Sequence, residues 1–457
     1  MRYEEYKGTE HSWQPSIPKH WNYWRARRLF DNPKEKNANN EEKNILSLTL
    51  KGVIRNDKDN PIGLAPSDYA TYQLFDAGEL VFKLIDLENV STSRVGIVPE
   101  RGIMSSAYIR FKPRNELNIR YFYYQYNDWY QRQVFNGLGA GVRQTLSAQD
   151  LLSLKIIVPP REEQDQIVRY LDWKVSCINK LIHGYQRQIK LLEERRQTVI
   201  DRAALEGVDG AKLKDSGTHW VKRIPENWKM VYSKKLFAER KDKAFPEDEQ
   251  LTASQKYGVI SQKEFIEREG RRVTVVLTGS DILKHVGIGD FIISMRSFQG
   301  GLEYSYVEGK ISSAYVMLIP RKKFVYDEYF KWLLKSKPYI KALQGTSDLV
   351  RDGQALRYAN FAKVPLPQIP LDEQKRIAEY IEIETSKIDA SIPVFEKQIE
   401  LLKEYRTRLI SDVVTGQKDV RNIEIPEFEA EFDFEADTGN ETDEGDDTMN
   451  EEATTDE

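Results

Sequence analysis

The sequence predicts a mixed α+β protein that is built twice: two repeated globular modules, separated by two long helices that pair as an antiparallel coiled coil, with pseudo-twofold symmetry. Three observations predict it. Short motifs recur in the same order at an offset of 206 to 211 residues. Each copy mixes short β-rich runs with aromatic, helix-compatible stretches, and each then runs into a long segment of heptad periodicity.

Taken in order, IPKHW at Ile17 to Trp21 recurs as IPENW at Ile224 to Trp228, and Leu29-Phe30 recurs as Leu236-Phe237. GVI at Gly52 matches GVI at Gly258, GELVF at Gly78 matches GDFII at Gly289, and SSAY at Ser105 matches SSAY at Ser312. Tyr121-Phe122 and Val142-Arg143 return as Tyr329-Phe330 and Val350-Arg351, and a proline-closed strand, IIVPP against VPLPQIP, ends each module. The runs GELVFKLI, SSAYIRF and LKIIVPP read as strands, and RYFYYQYNDWYQRQVF as a helix. SSAY is expected inside a buried β run, its small residues packing closely and its tyrosine hydroxyl hydrogen-bonded. Between these blocks the two copies diverge in almost every residue.

PREEQDQIVRYL, from Pro160, and PLDEQKRIAEYI, from Pro370, open the helical segments with proline and acidic residues that suit a helix N-terminus. Steps of three and four residues predict a seam through Ile178, Ile182, Tyr185, Ile189 and Leu192, matched 210 residues later by Ile388, Ile392, Phe395, Ile399 and Leu402. A segment of about 44 residues reaches roughly 66 Å as a helix. Gly207 and Gly416 fit C-terminal caps. The expected boundaries are a first module over 1–159, a helical spacer over 160–207, a second module over 208–369, a second spacer over 370–421, and an acidic, disordered tail over 422–457.

That tail disguises the charge of the body. The chain carries 68 basic and 72 acidic residues, but 16 of the acids and none of the bases lie from Ile423 to Glu457. The remainder therefore holds an excess of +12, which suits a polyanion such as double-stranded DNA. In the tail, Phe428, Phe432 and Phe434 alternate with acids and are candidates for docking on a partner. A single cysteine, Cys177, precludes an intrachain disulfide, and histidines at 11, 20, 183, 219 and 285 lack metal-ligand spacing. No stretch approaches the length of a membrane span, and a cytoplasmic setting is expected.

In the doubled order of IP-x-x-W, GVI, SSAY and E-Q-x-x-I at Glu163-Gln164 and Glu373-Gln374, the chain resembles the specificity subunits of type I restriction-modification systems, over about residues 1–421. The resemblance implies two target recognition domains, each contacting one half of a bipartite, asymmetric DNA site. It implies helices that set the gap, and a noncatalytic role. The expected partners are two modification subunits that bind S-adenosylmethionine and methylate adenine, and restriction subunits that complete an ATP- and Mg-dependent nuclease. The chain itself would hold no cofactor and no metal.

Candidate DNA-binding residues cluster near the expected turns: Lys51, Arg55, Lys58, Arg143, Gln144, Arg271, Arg272, Arg296, Gln299 and Arg351. Arginine and glutamine can hydrogen-bond base edges in pairs, whereas lysine more often meets phosphate. GLGAG at Gly137 to Gly141 mimics a cofactor loop but follows a helix-like run rather than a strand, and reads as a turn. The sequence holds no Walker phosphate loop and no NPPY-like tetrad, so no catalytic residue is expected. The other class compatible with these features is a noncatalytic coiled-coil adaptor without sequence-specific DNA binding.

Overall fold

A computed structural model describes residues 2–49, 52–57, 68–85, 87, 94–136, 138, 145–254, 256–270, 283–294, 302–346 and 356–428. Two long helices, α1 (Arg161–Glu206, 46 residues) and α2 (Leu371–Val414, 44 residues), run through the chain. The chain divides into two compact units: Met1–Arg187 with Glu396–Glu457, and Gln188–Phe395. Each unit thus holds one β-rich module, the first part of one long helix and the last part of the other.

The first unit centres on a four-stranded antiparallel sheet in the order Phe30–Asp31, Ile109–Pro113, Leu80–Lys83, Arg94–Ile97. Alternation along its strands sends side chains to opposite faces. Leu80, Phe82, Ile109 and Phe111 enter the main core with the aromatic helix Ile119–Gln131 and with α1, while Val81 joins a smaller core with Leu46, Leu48, Phe75, Val98 and Met104. The hairpin Leu46–Thr49/Gly52–Arg55 covers that second face. Strand Lys155–Val158 pairs with Asn22–Arg25 and delivers the chain into α1.

The second unit repeats the plan. Its sheet runs Phe237–Glu239, Tyr315–Pro320, Phe291–Ser294, Glu303–Tyr304. Phe291, Ile293, Val316 and Leu318 face the main core; Ile292 and Met317 face a smaller one with Leu251, Val259, Val286 and Ile311. The hairpin Leu251–Ser254/Gly258–Ser261 and the pair Lys229–Tyr232/Pro365–Gln368 occupy the matching places. The turn glycines Gly52 and Gly258 take φ of +94° and +71°, which a β-carbon disfavours.

SSAY departs from expectation. It forms the turn that leads into Ile109–Pro113 and Tyr315–Pro320, rather than lying within a buried strand. Ser105 and Ser312 each accept the amide N–H two residues on, from Ala107 and Ala314, both at 3.3 Å. A serine hydroxyl that bonds the local backbone in this way competes with a strand ladder. Tyr108 and Tyr315 pack half-buried against the smaller cores.

The residues of the predicted seam are buried or half-buried in both units. In the first, Ile178 and Ile182 are buried and Tyr185, Ile399 and Leu402 half-buried; in the second, Ile388 is buried and Ile189, Leu192, Ile392 and Phe395 half-buried. Leu181, Leu191 and Leu401, off the seam, are exposed. Contacts show the antiparallel sense. In the first unit Gln166 reaches the Val420 and Ile423 carbonyls, while Arg406 Nη1 donates to Asn179 at 2.7 Å. In the second, Arg196 pairs with Asp389 at 2.7 Å and Asp209 with Arg376 at 3.0 Å. As numbers rise along one helix, they fall along its partner. Ile423 and Ile425, the first residues of the acidic segment, pack against the first unit's core.

Candidate nucleic-acid interface

The repeated motifs meet in space and fix each module to the helices. In the first unit Trp21 is fully buried and its indole N–H donates to Glu163 at 2.9 Å; the Tyr3 hydroxyl donates to the same carboxylate oxygen at 3.0 Å. Burial and the Glu163 charge push the Tyr3 phenol well above its ordinary pKa, so it remains a donor. In the second unit Trp228 donates to Glu373 at 2.8 Å, and Asn227 fills the other oxygen at 2.9 Å. The glutamine beside each acid closes the helix start: Gln164 donates to the Pro159 carbonyl and Gln374 to that of Ile369, at 2.9 and 2.8 Å. Both acids sit in a first helical turn, where the backbone dipole favours negative charge.

The end of the opposite helix completes each anchor. In the first unit the Tyr121 hydroxyl donates to the Val414 carbonyl of α2 at 3.1 Å, and in the second the Tyr329 hydroxyl donates to the Ala204 carbonyl of α1 at 2.7 Å. Gly416 and Gly207 follow, both at φ +74°. A β-carbon on Gly416 would lie 2.4 Å from the Pro18 ring, whereas one on Gly207 would find ordinary contacts of 3.6 Å or more.

The sheets are held by a buried acid whose counterion differs between copies. Glu79 and Asp290, which follow the matched Gly78 and Gly289, are 2% and 1% exposed. Arg110, fully enclosed, donates to both Glu79 oxygens at 2.6 and 2.7 Å and also reaches Glu35 and Asp76. Desolvation opposes the Arg110 charge, but the hydrogen bonds it donates to Glu79 and Glu35 outweigh it and raise the guanidinium pKa. Asp290 is instead neutralised by Arg240, from a different strand end, at 2.5 and 3.0 Å.

Of the predicted DNA-binding residues, Arg55 is described. It projects from the end of the hairpin Leu46–Thr49/Gly52–Arg55 and binds both oxygens of Glu100. Their hydrogen bond raises the arginine pKa and lowers that of the glutamate. Lys51, Lys58, Arg143, Gln144, Arg271, Arg272, Arg296, Gln299 and Arg351 lie outside the described residues, as does GLGAG apart from Leu138. Among the described residues no group of histidine, cysteine and acid side chains could hold a metal ion, and no helix is long and apolar enough to cross a membrane.

The sequence reading missed a second set of basic residues. Exposed Arg27 and Arg28 close the short 3-10 helix Ala26–Arg28, and exposed Lys234 and Lys235 close its counterpart Ser233–Lys235. Beside each pair sits an exposed arginine positioned by the same bond: Arg114 N–H donates to the Leu29 carbonyl at 2.9 Å, and Arg321 N–H to the Leu236 carbonyl at 2.8 Å. The signal was available, because the 207-residue offset maps basic onto basic at all three places.

The profile described as "Type I restriction modification DNA specificity domain" matches residues 33–191. A relative from Methanocaldococcus jannaschii, named as a type I restriction enzyme MjaX specificity subunit, is 24% identical over 365 residues, 78% of this chain and 81% of its own. A chain from a structure of complex assembly and conformational transition in the type I R-M system aligns with TM-score 0.62 and 14% identity, covering 87% of this chain and 98% of that one. The chain is thus similar to type I restriction-modification specificity subunits. An HsdS subunit from Thermoanaerobacter tengcongensis aligns with TM-score 0.46 at 15% identity, over 88% of this chain and 98% of its own.

Proposed function

We propose that this chain is the noncatalytic specificity subunit of a type I restriction-modification system, which reads a bipartite, asymmetric DNA site, one half with each module, and directs adenine methylation or ATP-dependent cleavage by the subunits it carries. The observation that supports this best is the contrast within the repeat. The tryptophan–glutamate anchors and the strand order of the sheets are kept, while the segments between the shared motifs diverge, as two readers of different half-sites require. Residues 1–159 and 208–369 then serve as recognition domains, and 160–207 and 370–421 as the spacer that sets the gap. The base-reading residues are drawn from Lys51, Arg55, Lys58, Arg143, Gln144, Arg271, Arg272, Arg296, Gln299 and Arg351.

Two modification subunits supply S-adenosylmethionine chemistry, and restriction subunits supply ATP and Mg chemistry, with the assembly acting on DNA in the cytoplasm. Sequencing of methylated DNA from cells that express the modification partner with and without this chain tests the reading. A two-part adenine-methylated motif is expected only with the chain. A stable complex that leaves no motif favours the adaptor reading instead.

A further inference from the structure

The repeat keeps one surface feature that the anchors and cores do not require. From residue 22 to 28 the first copy reads NYWRARR and the second KMVYSKK, so that Arg27/Lys234 and Arg28/Lys235 keep their positive charge while most of their neighbours change type. From 109 to 114 the copies read IRFKPR and VMLIPR, ending on the same arginine. A module that reads a different sequence must change its base-contacting residues. A group that meets the phosphate backbone need not change, because phosphates are the same at every base pair.

The surroundings agree with that division. In the second unit Lys234, Lys235 and Arg321 line one open cleft of about 680 Å³ with Tyr232 and Phe324. None of the three basic residues makes an ion pair among the described residues. Tyr232 is 66% exposed, and the Lys234 ammonium lies 5.7 Å from its ring. In the first unit Arg27 donates to the Ser153 hydroxyl at 2.7 Å, and Arg28 stacks on Trp24 at 3.9 Å. There Arg114 is paired with Asp31, whose counterpart in the second copy is Ala238. The backbone of each cluster is rigidly placed: the Ala26 N–H donates to the Leu154 carbonyl at 2.9 Å, and the buried Ser233 hydroxyl bonds the matching Val364 carbonyl.

We infer that Arg27 and Arg28 in the first module, and Lys234, Lys235 and Arg321 in the second, are matched clamps for the DNA phosphodiester backbone that hold each module in register without reading sequence. This inference rests on the DNA reading proposed above. The clamps are independent of the divergent loops, and their contribution to binding is the same for any duplex.

The test uses the full chain assembled with its modification subunits, binding a duplex that contains its methylated motif and a scrambled duplex, over a range of salt. K234A/K235A/R321A is expected to lower affinity for both duplexes alike, by roughly 10- to 100-fold at 0.1 M salt, with the specificity ratio unchanged. The slope of log K against log salt should fall by about 0.9 for each charge removed. R27A should lower it by about one such step, and K234R/K235R should restore the wild-type slope. All these residues are exposed, so the melting temperature should not move.

A loss confined to the motif duplex would make these residues base readers and overturn the assignment. So would an unchanged slope, or a variant that binds DNA normally but no longer holds the modification subunits. If the wild-type complex itself does not prefer its motif, the DNA reading fails as well; if it does and the variants match it, only the clamps fail.

Discussion

Trp228→Ala should destabilise the protein by about 3–5 kcal/mol, because a fully buried indole is lost and the surroundings collapse only in part. The change also takes from Glu373 the donor at 2.8 Å that ties the IPENW strand end to the first turn of α2. Trp228→Phe separates the two contributions. It keeps most of the buried area, removes the N–H, and leaves the carboxylate with Asn227, so a cost of about 1–3 kcal/mol is expected. Chemical denaturation of the full chain measures both. If Trp228→Ala costs no more than an exposed substitution, the indole is not the anchor of the second module.

Arg110→Ala should cost a similar amount for an electrostatic reason. Removing one member of an enclosed ion pair leaves Glu79 without its counterion at 2% exposure, a loss of about 3–5 kcal/mol. Glu35 and Asp76, which reach the same guanidinium, are much more exposed and can return to water. Replacing both partners by well-packed apolar residues, as in Arg110→Met with Glu79→Leu, should recover most of the loss, since the desolvation penalty disappears with the charges. Equal destabilisation by the single and double variants would mean that Arg110 acts through packing alone.

These two residues also mark where the sequence could and could not be read. The helices were legible because a seam repeated every three or four residues follows from helix geometry, and the doubled motifs gave the same register twice. The strands around Leu80 and Phe291 were legible for the same kind of reason, as short apolar runs after a turn glycine. What joins them was not. Trp21 and Glu163 lie 142 positions apart, and Trp228 and Glu373 lie 145 apart, a pairing that no local period encodes.

The counterion exchange between Arg110 and Arg240 was hidden because the motif match preserves the acid and says nothing about which strand brings the base. SSAY misled because small residues before a tyrosine suit a strand by type, while the serine hydroxyl chose its own backbone. For the candidate site, Arg55 lies on a hairpin end and is engaged by Glu100, and the matched basic pairs at 27–28 and 234–235 were overlooked in favour of residues near divergent loops.

The central claim is that each module reads its own half of the DNA site. Its most direct test replaces residues 208–369 with the corresponding module of a type I specificity subunit, keeps both long helices, and sequences the methylated DNA made with the modification partner. The prediction is a hybrid motif: one half unchanged, the other half taken from the donor, and the gap between them preserved. A motif that changes in both halves, or that stays wholly unchanged, would contradict it.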